Sequence, residues 1–236
     1  MNFKERILQT IYPPRCFGCG QVVMSGEYFC KMCEQRYRLI CSRKCGYCGN
    51  DVSVCDCTKE SMAHYGVWRL SKLCAYLPYD PTSPLKRMLA RLKKKPDKRI
   101  REFLSAELEA KIRAKCENTD DYTLCFVPRA SAELRKSGFD HMHSLADMIS
   151  KKLGIRCERM FARHKDSAVQ KQLFNSNRFD NAQKNIELSD GVDARGKRFI
   201  LLDDVCVSGA SMGRCASLLI AAGAVEVRCF VIAVRP

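Results

Sequence analysis

Two adjacent aspartates, Asp203 and Asp204, occupy the position in this chain that most clearly indicates chemistry. They follow an apolar run at residues 199–202, which is typical of a buried parallel strand. Neighbouring carboxylates can accept hydrogen bonds from two vicinal sugar hydroxyls. The Ser/Gly loop that follows offers backbone N–H groups at the start of a helix, where phosphate binds, and two hydroxyl donors. Its residues are Val207, Ser208, Gly209, Ala210 and Ser211. The pattern predicts a ribose 5-phosphate site at the carboxyl end of a strand, or else a strand whose last Asp caps the next helix.

Residues 199–211 resemble the 5-phosphoribosyl 1-diphosphate (PRPP) binding motif of type I phosphoribosyltransferases. In that motif four apolar residues precede two acids and a Thr/Ser-Gly loop. The resemblance implies that Asp203 and Asp204 are catalytic residues that hold the ribose, and that Mg²⁺ accompanies PRPP. Val207 stands where the family usually has Thr, so one hydroxyl is lost while the backbone N–H is kept.

Eight cysteines near the N-terminus have the spacing of metal ligands. Nine of the sixteen cysteines lie between Cys16 and Cys57. Paired cysteines in a chain without secretory features are typical of zinc ligands rather than disulfides, and no open coordination position is evident. Two structural zinc sites are therefore expected, the first formed by Cys16, Cys19, Cys30 and Cys33 and the second by Cys45, Cys48, Cys55 and Cys57.

The ligands of the second zinc site stay open at this point. Only one residue separates Cys55 from Cys57, which is less regular than the other pairs. Cys41 is a spare thiol nearby, so it could replace either of them. Sequential and interleaved pairings of the two sets are both compatible with the spacing.

The composition limits the class of protein. The chain has 236 residues, of which 46% are hydrophobic, and a formal net charge of +15. Two zinc ions with four thiolates each would lower this charge to about +11, which still favours anionic partners. No apolar run reaches the roughly 18 residues of a membrane span, and residues 1–11 are charged and amphipathic rather than a secretory signal. We expect a cytoplasmic protein, with the inner face of the membrane as a further possibility.

Alternating apolar runs and amphipathic stretches predict an α/β fold with a central parallel sheet. An N-terminal helix and double zinc ribbon at residues 1–60 would precede a second domain at 61–236. Strands are expected at 73–77, 122–127, 155–160, 199–202 and 227–233. Helices are expected at 84–92, 98–115, 134–153, with a turn at Ser137-Gly138 inside the third, and 212–223.

The whole layout resembles the ComF family, in which a double zinc ribbon precedes a type I phosphoribosyltransferase-like domain. Besides the cysteines and the PRPP-type loop, two motifs carry the resemblance. One is Val127-Pro128 followed by Ser137-Gly138-Phe139. The other is a run whose matching residues include Arg163, Lys165, Gln170 and Arg178. The resemblance implies a flexible loop at the second run and a role in DNA uptake during natural transformation.

Departures from the ComF pattern lie on the side expected to bind diphosphate. Ser137 replaces the usual Arg, and Asp140-His141 replaces Asn-Gln. The nearby cations Arg129, Arg135 and Lys136 are the candidates for that side. The histidines at 141, 143 and 164 are interpreted as surface or loop residues rather than bases or ligands.

Two functions remain open. The first is transfer of ribose 5-phosphate from PRPP to an acceptor that the sequence does not identify. The second is a non-catalytic module that senses PRPP or a nucleotide and binds single-stranded DNA, in contact with the DNA-uptake machinery.

The zinc segment is the candidate for contact with single-stranded DNA, because aromatic and basic residues intermix there. The aromatic residues are Tyr28, Phe29, Tyr37 and Tyr47. The basic run 86–101 is interpreted as a solvated helix face, or else as a groove for phosphates.

Overall fold

The computed structural model describes residues 12–58, 60–63, 65–67, 69–75, 80, 82–163 and 185–235. The expected N-terminal helix at 1–11 lies outside the described residues. So do His164 and three members of the predicted flexible loop, Lys165, Gln170 and Arg178.

The N-terminal module is built from two tight cysteine turns. Each has a short antiparallel bridge, Arg15 with Val22 and Lys44 with Asp51. Gly20 and Gly49 follow the inner cysteine of each turn at φ values of 83° and 70°, where a side chain would be strained. Helix α1 (Lys31–Cys41) lies between the turns, and the short helix α2 (Glu60–Ala63) leads out of the module.

The second part of the chain is organised around a parallel sheet, as predicted, and this sheet has four strands. Its strands are β1 (Leu70–Ala75), β2 (Tyr122–Phe126), β5 (Arg198–Cys206) and β6 (Glu226–Val234). They lie in the order β1-β6-β5-β2, and every neighbouring pair is parallel. The carboxyl ends of all four strands therefore share one edge, and β5 is an inner strand whose last residues include both aspartates.

Helices connect the strands and cover the sheet. They are α3 (Pro84–Lys94), α4 (Lys98–Lys115), α5 (Ser131–Ser137), α6 (His141–Leu153) and α7 (Ala210–Ala221). Asp97 caps α4 by accepting from the Ile100 N–H at 3.2 Å, and Asp140 caps α6 in the same way. Gly138 adopts a left-handed conformation at the end of α5, so the helical stretch predicted at 134–153 is two helices, separated at the predicted turn Ser137-Gly138.

One predicted strand is wrong. Residues 155–160 make only a single parallel bridge, between Cys157 and Leu124. The strand lies just beyond, at β3 (Phe161–Arg163), and pairs antiparallel with β4 (Ile186–Leu188) in a separate two-stranded sheet. A three-residue strand is too short to show the alternation from which strands are predicted.

The zinc module packs onto the parallel-sheet domain through an aromatic cluster. Phe17 is fully buried and lies edge-on to Phe29, while Phe29 stacks on Tyr37 at 5.2 Å between ring centroids. Phe103 of α4 meets these three rings at 5.4 to 6.1 Å. The cluster thus joins the first cysteine turn to a helix of the sheet domain. Among the described residues, no helix combines the length and apolar character needed to cross a membrane.

Candidate functional site

A cavity of about 200 Å³ lies beside the carboxyl ends of β2 and β5. Asp203, Asp204 and Ser211 line it, so three of the residues predicted for ribose phosphate are brought together. The remainder of its wall comes from the segment after β2, from α3 and α6, and from β3. These residues are Lys93, Val127, Pro128, Arg129, Ala130, His141, Met142 and Arg163. The cavity therefore combines two acids with three cations and an imidazole.

Asp204 is held by charged and polar donors on both of its oxygens. Its Oδ2 lies 2.9 Å from His141 Nε2 and 2.7 Å from Lys93 Nζ, while Oδ1 accepts from the Val205 N–H at 2.6 Å. Burial alone would raise the pKa of Asp204. The hydrogen bond from His141 and the charge of Lys93 outweigh burial and hold that pKa well below its usual range. Asp204 is therefore ionised at neutral pH.

Asp203, in contrast, is mainly protonated at neutral pH. Its Oδ1 accepts from the Asp204 N–H at 2.8 Å. Burial, together with the negative charge of Asp204, raises the pKa of Asp203 from 3.8 to about 8. At neutral pH the pair carries one negative charge and one proton. It can thus accept from one sugar hydroxyl through Asp204 while Asp203 still offers a donor and an acceptor.

The predicted phosphate loop turns sharply into α7. Gly209 has φ 81°, and a Cβ there would lie 2.7 Å from Met62 Sδ. Its carbonyl accepts from the Gly213 N–H at 2.7 Å, which starts the helix. Val207 and Ser208 are half-buried and Ala210 is buried, so of the five predicted loop residues Ser211 is the one that lines the cavity.

The cations predicted for the diphosphate side are placed differently from one another. Arg129 lines the cavity, but one of its guanidinium nitrogens donates to Ser137 Oγ and to the Phe139 carbonyl, both at 3.0 Å. Arg163, which was predicted for the flexible loop instead, also lines the cavity and donates to the Pro128 carbonyl at 3.4 Å. Arg135 and Lys136 are exposed in the last turn of α5 and are not part of the cavity wall.

Two polar residues of the cavity wall, His141 and Lys93, are not among the site residues predicted from the sequence. His141 is only 3% exposed, so its interpretation as a surface or loop residue is wrong. Lys93 belongs to the basic run that was interpreted as a solvated helix face or a phosphate groove, and it pairs with Asp204. Pro96 indicates where α3 ends, but it does not indicate which of the neighbouring lysines reaches the sheet edge.

The two cysteine sets form separate clusters. The ligand atoms of Cys16, Cys19, Cys30 and Cys33 all lie within 4.8 Å of one another, as do those of Cys45, Cys48, Cys55 and Cys57. Zn–S bonds of about 2.3 Å in a tetrahedron place the sulfurs about 3.8 Å apart. The Cys30 sulfur lies 3.9 Å from that of Cys16 and 3.7 Å from that of Cys19. Both clusters therefore fit structural zinc. Their order is sequential, and Cys41 belongs to neither.

Comparisons with known proteins identify the N-terminal part. The family model described as "Double zinc ribbon domain" matches residues 7–74. With the two cysteine clusters, this match confirms the predicted double zinc ribbon. No curated protein matches the chain in sequence.

Several solved phosphoribosyltransferase structures are similar to this chain at low identity. Glutamine PRPP amidotransferase from B. subtilis, complexed with ADP and GMP, is 19% identical, with a TM-score of 0.35 over 64% of this chain and 27% of that one. Hypoxanthine phosphoribosyltransferase from Staphylococcus aureus is 12% identical, with a TM-score of 0.34 over 58% and 62% of the two chains. Adenine phosphoribosyltransferase from Leishmania tarentolae is 14% identical, with a TM-score of 0.36 over 59% and 72%. The match thus spans about a quarter of the amidotransferase chain.

Proposed function

We propose that the cavity binds PRPP or a related phosphoribosyl metabolite. One observation carries the proposal. Asp203 and Asp204, which suit a sugar diol, share a cavity with Ser211, which lies in the first turn of α7. A helix start favours phosphate, and the cations of the same cavity wall complement a polyanion. PRPP combines a ribose, a 5-phosphate and a diphosphate, and would be taken up as its Mg²⁺ complex.

We further propose transfer of the ribose 5-phosphate group to an acceptor. The bond between ribose C1 and the diphosphate oxygen would break, the diphosphate would leave with the bonding electron pair, and the acceptor would form the new bond to C1. Positive charge develops on the sugar as the diphosphate leaves, so positioning and charge stabilisation supply the catalysis. The ionised Asp204 suits the sugar, and the cations of the wall suit the leaving group.

A non-catalytic PRPP or nucleotide sensor is the second candidate. The hydrogen bonds of Arg129 to Ser137 and Phe139 favour the sensor, because a cation predicted to bind diphosphate already binds other groups of the protein. The placement of Arg135 and Lys136 outside the cavity wall favours it as well. Fewer cations are then available to stabilise a leaving diphosphate than the resemblance implies.

The ComF resemblance extends this second candidate to DNA uptake. We propose that the protein acts in the cytoplasm, at the inner face of the membrane, and contacts single-stranded DNA through the zinc ribbon. Tyr47 is 74% exposed, and the neighbouring Arg43 and Lys44 are exposed as well. An exposed ring beside cations suits base stacking and phosphate contact. Phe29 and Tyr37 are buried and are no longer candidates for stacking.

Calorimetry with PRPP and Mg²⁺ tests the binding proposal. The unsubstituted protein should bind, whereas Asp203→Asn and Asp204→Asn should bind at least about tenfold more weakly if each loses a hydrogen bond to the sugar. Asp193→Asn is the matched control, because Asp193 is exposed and pairs with Arg195. Circular dichroism would confirm that each variant is folded. Equal affinity of all four proteins would show that the ribose does not lie at the acid pair.

Two further assays separate the candidate functions. Release of diphosphate from PRPP in the presence of nucleobase or amine acceptors would support the transferase, and PRPP binding without release would support the sensor. For the DNA role, binding of an oligothymidylate should weaken steeply as salt rises, and Tyr47→Ala should weaken it further. DNA binding that does not respond to salt would contradict contact through this basic surface.

A further inference from the structure

The two side-chain partners of Asp204 differ in burial. Lys93 Nζ and His141 Nε2 contact the same oxygen, Oδ2, at 2.7 and 2.9 Å. The His141 side chain is 3% exposed and sits at the buried start of α6. The Lys93 side chain is 40% exposed and reaches the site from the last turn of α3. The lysine can therefore leave the carboxylate by rotating into solvent, whereas the histidine cannot.

Lys93 occupies a position on Asp204 that a sugar hydroxyl needs. A carboxylate offers about four lone-pair sites. Three are used here, two on Oδ2 and one on Oδ1, where the Val205 N–H donates. The side chain of Asp204 is 12% exposed, so little room remains for an approaching donor beside these partners. A ribose hydroxyl that approaches from solvent would therefore displace Lys93, the more exposed of the two side-chain partners.

We propose that Lys93 exchanges partners when PRPP binds, leaving Asp204 to a ribose hydroxyl and contacting the diphosphate instead. This inference rests on the proposed function of the cavity. Lys93 lines the same cavity as Arg163 and Arg129, so its ammonium group is already at the wall that faces a bound polyanion. His141 stays in place and keeps Asp204 ionised while the lysine moves.

The exchange makes Lys93 a residue that distinguishes PRPP from ribose 5-phosphate. Ribose 5-phosphate must displace the lysine but offers it no diphosphate in return. PRPP displaces the same lysine and provides new anionic oxygens for it. Removing the amine should therefore favour one ligand and disfavour the other, which a residue of purely structural importance would not do.

The experiment compares Lys93→Met with the unsubstituted protein in calorimetric titrations with ribose 5-phosphate, PRPP and inorganic diphosphate, each with Mg²⁺. For Lys93→Met we expect ribose 5-phosphate to bind about two- to fivefold more tightly, because a partly exposed ion pair no longer competes. PRPP and diphosphate should bind roughly tenfold more weakly, because a charge-assisted contact is lost. Lys93→Gln should behave in the same way, and it guards against a packing effect of methionine.

Lys94→Met is the matched control, since Lys94 is the next residue on α3 and is exposed. It should leave all three affinities unchanged. If Lys93→Met and Lys93→Gln shift ribose 5-phosphate and PRPP in the same direction, or shift neither, the exchange is wrong while the proposed function stands. If the unsubstituted protein binds none of the three ligands, the proposed function itself fails, and the exchange fails with it.

Discussion

His141 Nε2 and Asp204 Oδ2 lie 2.9 Å apart, which joins the start of α6 to the end of β5 inside the cavity wall. Asp204 is ionised and can only accept, so Nε2 must carry the hydrogen of this bond. The imidazole is almost fully buried, and the bond is therefore shielded from water. It fixes the orientation of Asp204 and stabilises its negative charge.

Loss of this bond should destabilise the protein. His141→Ala leaves Asp204 without its buried donor and opens space, and we expect a loss of about 1–3 kcal/mol in the free energy of unfolding. His141→Gln keeps an N–H donor of similar reach and should recover most of that loss. Urea denaturation followed by circular dichroism measures both. Equal destabilisation by Ala and Gln would indicate that the ring's volume matters and the hydrogen bond does not.

Asp203→Asn should stabilise the protein increasingly as pH rises. The pKa of Asp203 is raised from 3.8 to about 8 by burial and by the charge of Asp204, so the folded state binds a proton that the unfolded state has released. The stability of the unsubstituted protein therefore falls as the pH rises from about 4 to about 8, and it levels off above pH 8. Asparagine does not titrate and lacks this decline. From about pH 5.5 to about pH 8.5 the variant should gain roughly 2–4 kcal/mol relative to the unsubstituted protein.

The measurement is urea unfolding at several pH values across that window. Asp193→Asn serves as control, because this exposed carboxylate should show no comparable gain. Parallel stability profiles for Asp203→Asn and the unsubstituted protein would mean that Asp203 is ionised in the folded state throughout.

Gly209→Ala should disturb the proposed phosphate loop. Gly209 combines φ 81° with close contact to Met62, so a methyl group meets both backbone strain and the thioether. We expect a loss of about 1–3 kcal/mol in stability and weaker binding of PRPP. Met62→Ala combined with Gly209→Ala would relieve the clash but not the strain. Full recovery of stability in the double variant would show that the contact alone requires glycine.

Local patterns predicted the elements of this fold well. Helix α4 runs from Lys98 to Lys115, as its apolar spacing and the break at Pro96 indicate. The apolar run before Asp203 predicted a strand, and β5 lies inside the parallel sheet with both aspartates near its carboxyl end. These signals are carried by residues close together in sequence, so no knowledge of the tertiary fold was needed.

The partners of the aspartates could not be predicted in the same way. Lys93 and His141 are separated from Asp204 by 111 and 63 positions. They meet it only because the end of α3 and the start of α6 lie beside the same sheet edge. In the sequence, Lys93 is one of three consecutive lysines and His141 is one of two histidines near a helix start. Nothing in residue type separates Lys93 from Lys94, and the fold alone decides which side chain enters the cavity.

The two zinc clusters should contribute unequally to stability. Cys19 and Cys48 are both exposed, so replacing either thiol by serine removes a ligand and little buried surface. The first cluster, however, contains the fully buried Cys16 and adjoins Phe17, whose ring packs against Phe103 of α4. Both Cys19→Ser and Cys48→Ser should lower the zinc content by one ion per chain.

Cys19→Ser should in addition lower the midpoint of urea unfolding clearly more than Cys48→Ser, because it loosens the aromatic cluster that joins the zinc module to the sheet domain. Zinc is measured by atomic emission, and unfolding by circular dichroism in the presence of excess zinc. Since the two substitutions are chemically identical and both positions are exposed, a difference between them reports what each cysteine turn supports. Equal midpoints would show that the aromatic cluster holds together without the first metal ion, and that its rings rather than the zinc fix the module against α4.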